Sequence, residues 1–174
     1  MKSIYIVLTK STTFLSRLVY LATGEKYTHV SISFEKELQP LYSSSRKNGC
    51  TMFPAGPCKE SFYYGYMSTH KHIPCAVYEL KVSDEVYKMA KREAEEIIKN
   101  ADNYHFNILG LLLCRLNIPY HRKNSYFCSQ FVGEILEKSN AIKLPKDYTL
   151  MRPTDYMKLP ELRCRHMGKL GEVA

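Results

Sequence analysis

Asn124-Ser125-Tyr126-Phe127-Cys128-Ser129-Gln130-Phe131-Val132-Gly133-Glu134-Ile135-Leu136 is the stretch on which the fold reading turns. Phe131, Val132, Ile135 and Leu136 recur at helical spacing from Cys128 and make one apolar face. Ser125 or Asn124 can cap its start. The periodicity predicts a short helix with a cysteine in its first turn. A thiol placed there feels the positive end of the helix macrodipole, which favours the thiolate. A nucleophilic thiolate needs a base, and the candidate is His29 in Tyr27-Thr28-His29-Val30-Ser31-Ile32-Ser33-Phe34.

The segments around these two read as a scaffold for them. Ser3 to Leu8 is β-branched and apolar, a buried first strand. Thr12 or Thr13 opens a helix running to about Ala22, closed by Gly24. Thr28 to Phe34 alternates, with His29, Ser31 and Ser33 on one face and Val30, Ile32 and Phe34 on the other, as in a half-buried strand. Glu35 to Gln39 is a polar turn, and Leu41 to Arg46 is the return strand. Asn48 to Gly65, with its prolines and glycines, reads as a long irregular excursion of the kind that often carries function. Ile73 to Val82 is another strand. Ser83 then caps an amphipathic helix whose core side is Val86, Met89, Ala90, Ala94, Ile97 and Ile98. Asn107 to Leu116 is apolar nearly all round and is expected to be buried. Pro145, Pro153 and Pro160 each break regular structure, and Met151 to Tyr156 reads as an extended approach followed by a helix start.

The whole chain, 174 residues, fits a single domain large enough for a real core. Its 25 Lys and Arg against 17 Asp and Glu give a net charge of +8. The basic residues are scattered and no nucleic-acid motif accompanies them, so no nucleic-acid partner is expected. The Arg163-Cys164-Arg165-His166 run is too short to change that. None of the six cysteines forms a C-x-x-C pair, which argues against a zinc ribbon or a thioredoxin-type site. The apolar run Ile4 to Leu8 is too short for a signal peptide, and Ile108 to Cys114 is too short to span a bilayer. The expectations are therefore a cytoplasmic protein with free thiols, no membrane anchor, no cofactor and no metal. His70 and His72 form an H-x-H pair with no nearby ligands to complete a metal site.

Spacing alone favours a plain core cysteine and a structural histidine. Their joint order and spacing point instead to a catalytic pair. Thr28-His29-Val30-Ser31-Ile32, followed much later by Tyr126-Phe127-Cys128-Ser129-Gln130-Phe131-Val132, resembles the permuted branch of the NlpC-type papain-like cysteine hydrolases, the YiiX/YebB-like group. In that branch the histidine strand precedes the cysteine helix. Arg152-Pro153-Thr154-Asp155 is similar to a proline-containing segment that follows the cysteine helix there. The resemblance covers most of the chain, to about Leu159. It implies an α+β papain-like fold, circularly permuted, with a central antiparallel, partly barrel-like sheet packed against helices.

Carried over to matching positions, the resemblance implies Cys128 as nucleophile, His29 as base and Tyr126 as an aromatic residue two before the cysteine. The family often places a polar group on the strand after the histidine. Here that stretch holds Ser43, Ser44 and Ser45, and hairpin pairing through Glu35 to Leu38 selects Ser44. Glu35, Glu60 and Asp155 stay open as alternatives, because a serine orients an imidazole without balancing its charge. The implied activity is a cysteine hydrolase of amidase or peptidase type, cleaving a peptide, isopeptide or acyl ester through an acyl-enzyme. The alternatives are a thiol acyltransferase like lecithin:retinol acyltransferase, with Tyr63, Tyr64, Tyr66 and Met67 offering an apolar groove, and a non-catalytic binding module on the same fold.

Overall fold

The computed structural model describes residues 1–10, 25–46 and 54–173. The helix expected between Thr12 and Ala22, its terminator Gly24, and Cys50 lie outside the described residues. The described elements are β1 (Lys2–Thr9), β2 (His29–Ser33), β3 (Leu41–Arg46), β4 (Ala55–Glu60), α1 (Tyr66–Thr69), β5 (Pro74–Val82), α2 (Asp84–Lys99), β6 (His105–Phe106), α3 (Ile108–Arg115), β7 (Ser125–Tyr126), α4 (Cys128–Lys138) and β8 (Arg163–Lys169). Short 3-10 turns at Tyr148–Leu150 and Pro153–Lys158 follow α4.

Six strands form one antiparallel sheet in the order β4-β3-β2-β1-β5-β8, and β6 and β7 form a separate parallel pair. The fold is α+β, as expected. The sheet is open, with β4 and β8 at its edges, so the partly barrel-like closure is not found. β1 pairs with β5 along its whole length, from Lys2↔Val82 to Thr9↔Cys75. That long ladder is the backbone on which the shorter β2 and β3 are laid.

The main core lies between one sheet face and the helices α2 and α4, joining Ile4, Ile6, Val30, Ile32 and Phe34 to Ala90, Ala94, Phe131, Val132 and Ile135. α2 starts as predicted, with Ser83 Oγ accepting from the Val86 N–H. Its inward residues are Tyr87, Ala90, Ala94 and Ile97, whereas Met89 is exposed. Tyr87 replaces Met89 because its phenol reaches the Phe34 carbonyl, Oη donating at 2.7 Å.

The opposite sheet face is also covered, by a second apolar cluster that includes Val7, Leu41, Phe62, Met67 and Cys75. β2 is therefore buried on both sides, not half-buried, and its polar face needs internal partners. Ser33 Oγ donates to the Pro40 carbonyl, and Ser31 Oγ donates to Glu60.

Two further expectations are corrected. The excursion from Asn48 to Gly65 contains β4, which pairs with β3 from Leu41↔Glu60 to Arg46↔Ala55. Pro57 can sit there because β4 is an edge strand, where a missing N–H costs no ladder bond on the open side. α3 is not buried all round: Leu111 and Cys114 face inward, but Leu109 and Leu112 are exposed. β6, β7 and β8 are strands that no local pattern announces. The Arg163–His166 run belongs to β8, whose charged residues guard an edge, with Arg165 paired to Glu79 of β5.

Candidate functional site

Cys128 is the first residue of α4, directly after the N-cap Phe127. No side chain caps this helix start, so Ser125 and Asn124 do not play that part. The first N–H groups of a helix have no intrahelical partner, and here they stand beside the Cys128 sulfur as ready donors to an oxyanion. The first turn is held from below by the Met151–Tyr156 segment. Ser129 Oγ donates to the Met151 carbonyl at 2.6 Å, and the buried Tyr156 Oη donates to the Ser129 carbonyl at 2.6 Å. That segment has the predicted form, extended at Met151 and Arg152 and then turning at Pro153.

His29 opens β2, the strand on which α4 packs. Its Nε2 lies 2.9 Å from Glu60 Oε2, with Ser31 Oγ at 3.2 Å from the same nitrogen. Glu60 is held from both sides. Ser31 Oγ donates to Oε2 and Ser45 Oγ donates to Oε1, each at 2.8 Å. The geometry is thus a carboxylate fixed by two hydroxyls and turned toward one imidazole. Cys128 is among the groups that raise the His29 pKa, which places it near the same imidazole.

The electrostatics follow from this packing. Burial by itself would lower the His29 pKa, since a desolvated imidazolium is costly. The Glu60 charge, with hydrogen bonding from Cys128 and Glu60, outweighs burial and pushes it up to about 10. Burial would likewise raise Glu60, but the His29 charge and hydrogen bond hold it down at about 2. At neutral pH the two form an ion pair, and the Nε2–H donates to the carboxylate.

Of the four expected site residues, Cys128 lies near enough to His29 to bear on its pKa. Ser44 does not orient His29: its hydroxyl donates to the Tyr126 carbonyl at 2.8 Å. The β2–β3 register explains this. Ile32 pairs with Tyr42, so Ser44 lies on the helix side with Val30, while Ser31 and Ser45 lie on the Glu60 side. Glu60, one of the open alternatives, holds the place given to Ser44. Glu35 and Asp155 are engaged elsewhere, with Lys91 and with Lys146.

Tyr126 braces the site and does not reach into it. Its carbonyl also accepts from the Asn107 N–H, and its Oη donates to the buried Glu134 at 2.9 Å. Burial and the Glu134 charge raise its pKa. Asn107 ties α3 to the cysteine helix. Its Oδ1 accepts from the Gly110 N–H, and its Nδ2 donates to Gln130 Oε1 at 3.1 Å. Gly110 permits this, because a Cβ there would collide with the Asn107 amide.

A cleft of about 450 Å³ opens along the α4 face bearing Gln130, Glu134 and Lys138, with Tyr104, Tyr126 and Tyr148 in its walls. Cys128 and His29 are not among its lining residues, and Cys128 is only 4% exposed. The groove expected from Tyr63 to Met67 is not formed as one apolar surface: Tyr63 and Tyr64 are exposed, whereas Met67 is buried in the second core. No family model matches this chain, and no curated protein matches it.

Proposed function

We propose that this protein is a cysteine hydrolase of amidase or peptidase type, built on a permuted papain-like plan. Cys128 is the nucleophile, His29 the acid–base and Glu60 the residue that orients and balances His29. The observation that carries this reading is the imidazole bonded to a half-buried carboxylate that two hydroxyls anchor, with the cysteine at the start of α4 near enough to bear on its pKa. A carboxylate that keeps His29 protonated favours a thiolate–imidazolium pair, the reactive form of such enzymes.

The Cys128 thiolate attacks the carbonyl carbon, and the unpaired N–H groups of the helix start take the oxyanion. Collapse breaks the bond to the leaving amine or alkoxide, which receives its proton from His29. Water then adds to the thioester, His29 takes the water's proton, and the carboxylic acid leaves as the Cys128 sulfur is freed.

Two other cysteines are held as thiols. Burial, reinforced by the Glu60 charge, pushes Cys58 up to about 11, and burial pushes Cys75 up to about 12. They stay protonated near neutral pH and serve as internal references.

The test is acylation by an activated acyl ester, followed by peptide mass spectrometry. The expected adduct sits on Cys128, decays in water, and is absent in Cys128→Ala and His29→Ala. An adduct on any other cysteine, or an adduct rate unchanged in His29→Ala, overturns the assignment. Adding an amine acceptor separates hydrolysis from acyl transfer by its product.

A further inference from the structure

α3 presents an apolar face to solvent. Ile108, Leu109 and Leu112 on the helix, then Leu116 and Ile118 just beyond it, are each 37–67% exposed. The inward face is taken by Leu111 and Cys114, which pack with Phe106 and Phe127, so the outward face is surplus to the core. Isolated exposed leucines need no explanation; five within eleven positions form a patch of the kind that meets another phase or another molecule.

The charge on the same segment indicates which. From Asn103 to Gly133 the sequence has no Asp or Glu, while Arg115, Arg122 and Lys123 fall within it. All three are exposed and make no ion pair among the described residues. The carboxylates beside this turn are already engaged: Asp147 is bonded to His121, and Glu134, which lines the same cleft as Arg122 and Lys123, is paired with Lys138. Apolar side chains beside a run of unopposed cations suit an anionic bilayer surface, where the apolar face enters the acyl boundary and the cations meet headgroups.

We propose that the exposed face of α3, with the basic turn after it, docks this protein on an anionic lipid surface. Among the described residues no helix is long and apolar enough to cross a membrane. A helix lying in the interface needs no such length. α3 packs on Phe127, the residue before Cys128, so docking would hold the site about one helix diameter, ~10 Å, from the headgroups.

The test is co-sedimentation of the full chain with vesicles of phosphatidylcholine alone and of phosphatidylcholine mixed with phosphatidylglycerol, run with Cys128→Ala so that it does not depend on catalysis. The expected result is partition onto the anionic vesicles, weakened by salt. Leu112→Asp with Leu116→Asp should cut partition at least about tenfold, and Arg122→Glu with Lys123→Glu about fivefold or more for each cation. Met167→Asp, which alters an exposed apolar residue elsewhere, should leave it unchanged. Circular dichroism checks that each variant is folded. Absence of partition overturns the proposal, and so does partition that Leu112→Asp with Leu116→Asp leaves intact. A concentration-dependent dimer abolished by those substitutions also overturns it, by assigning the face to a second copy of the chain.

Discussion

Replacing Glu60 by Gln keeps the shape at the end of β4, removes one charge and turns one acceptor oxygen into an amide donor. His29 then loses the largest interaction that opposes its burial and keeps those with Cys128, so its pKa falls from about 10. The whole span from the ordinary 6.5 to about 10 is more than a thousandfold in its protonation equilibrium, or about 5 kcal/mol. That figure is a ceiling on the pair's contribution to stability, because desolvation of both charges offsets much of it.

The pH dependence follows by sign. The raised His29 value adds stability that is complete below 6.5 and is lost as pH rises through about 10. The lowered Glu60 value adds stability that is complete above 4.5 and is lost as pH falls through about 2. The wild type should therefore lead the variant most between pH 4.5 and 6.5, and the gap should close toward pH 10. Imidazole NMR titration gives the pKa directly, and urea unfolding at several pH values gives the gap. A His29 that titrates at the same pH in both proteins, or a stability gap that widens toward high pH, would refute the ion-pair account.

Ser44→Ala removes the buried hydrogen bond to the Tyr126 carbonyl and should cost about 1–2 kcal/mol in urea unfolding. It should leave the His29 titration unmoved, since Glu60 sets it. Tyr126→Phe strips the phenol from Glu134 and should cost about 1–3 kcal/mol, with Lys138 left as that carboxylate's ion-pair partner. An unchanged unfolding midpoint would remove the bracing role from Tyr126. Gly133→Ala puts a Cβ 3.0 Å from Tyr148 and from the Tyr156 hydroxyl. It should destabilise by about 1–3 kcal/mol, and a neutral result would mean that the α4 support yields freely.

Local pattern carried much of the architecture. The 3.6 period from Cys128 to Leu136 placed α4, the alternation from His29 to Phe34 placed β2, and Ser83 marked the start of α2. These signals lie within one element and need no neighbour to be read. β4 was hidden because Pro54, Gly56 and Pro57 look like loop punctuation, and only its position at the sheet edge makes Pro57 acceptable. α3 was misjudged for a similar reason: an all-round apolar sequence does not say which side the protein leaves uncovered.

What the sequence determined by itself was the chemistry on offer, a cysteine at a helix start and a histidine at a strand start, because residue type and periodicity are local properties. Which carboxylate faces the histidine was decided only by tertiary structure. Register and strand order place Glu60 beside His29 and turn Ser44 toward Tyr126, and a shift of one position along a strand moves a side chain to the opposite face.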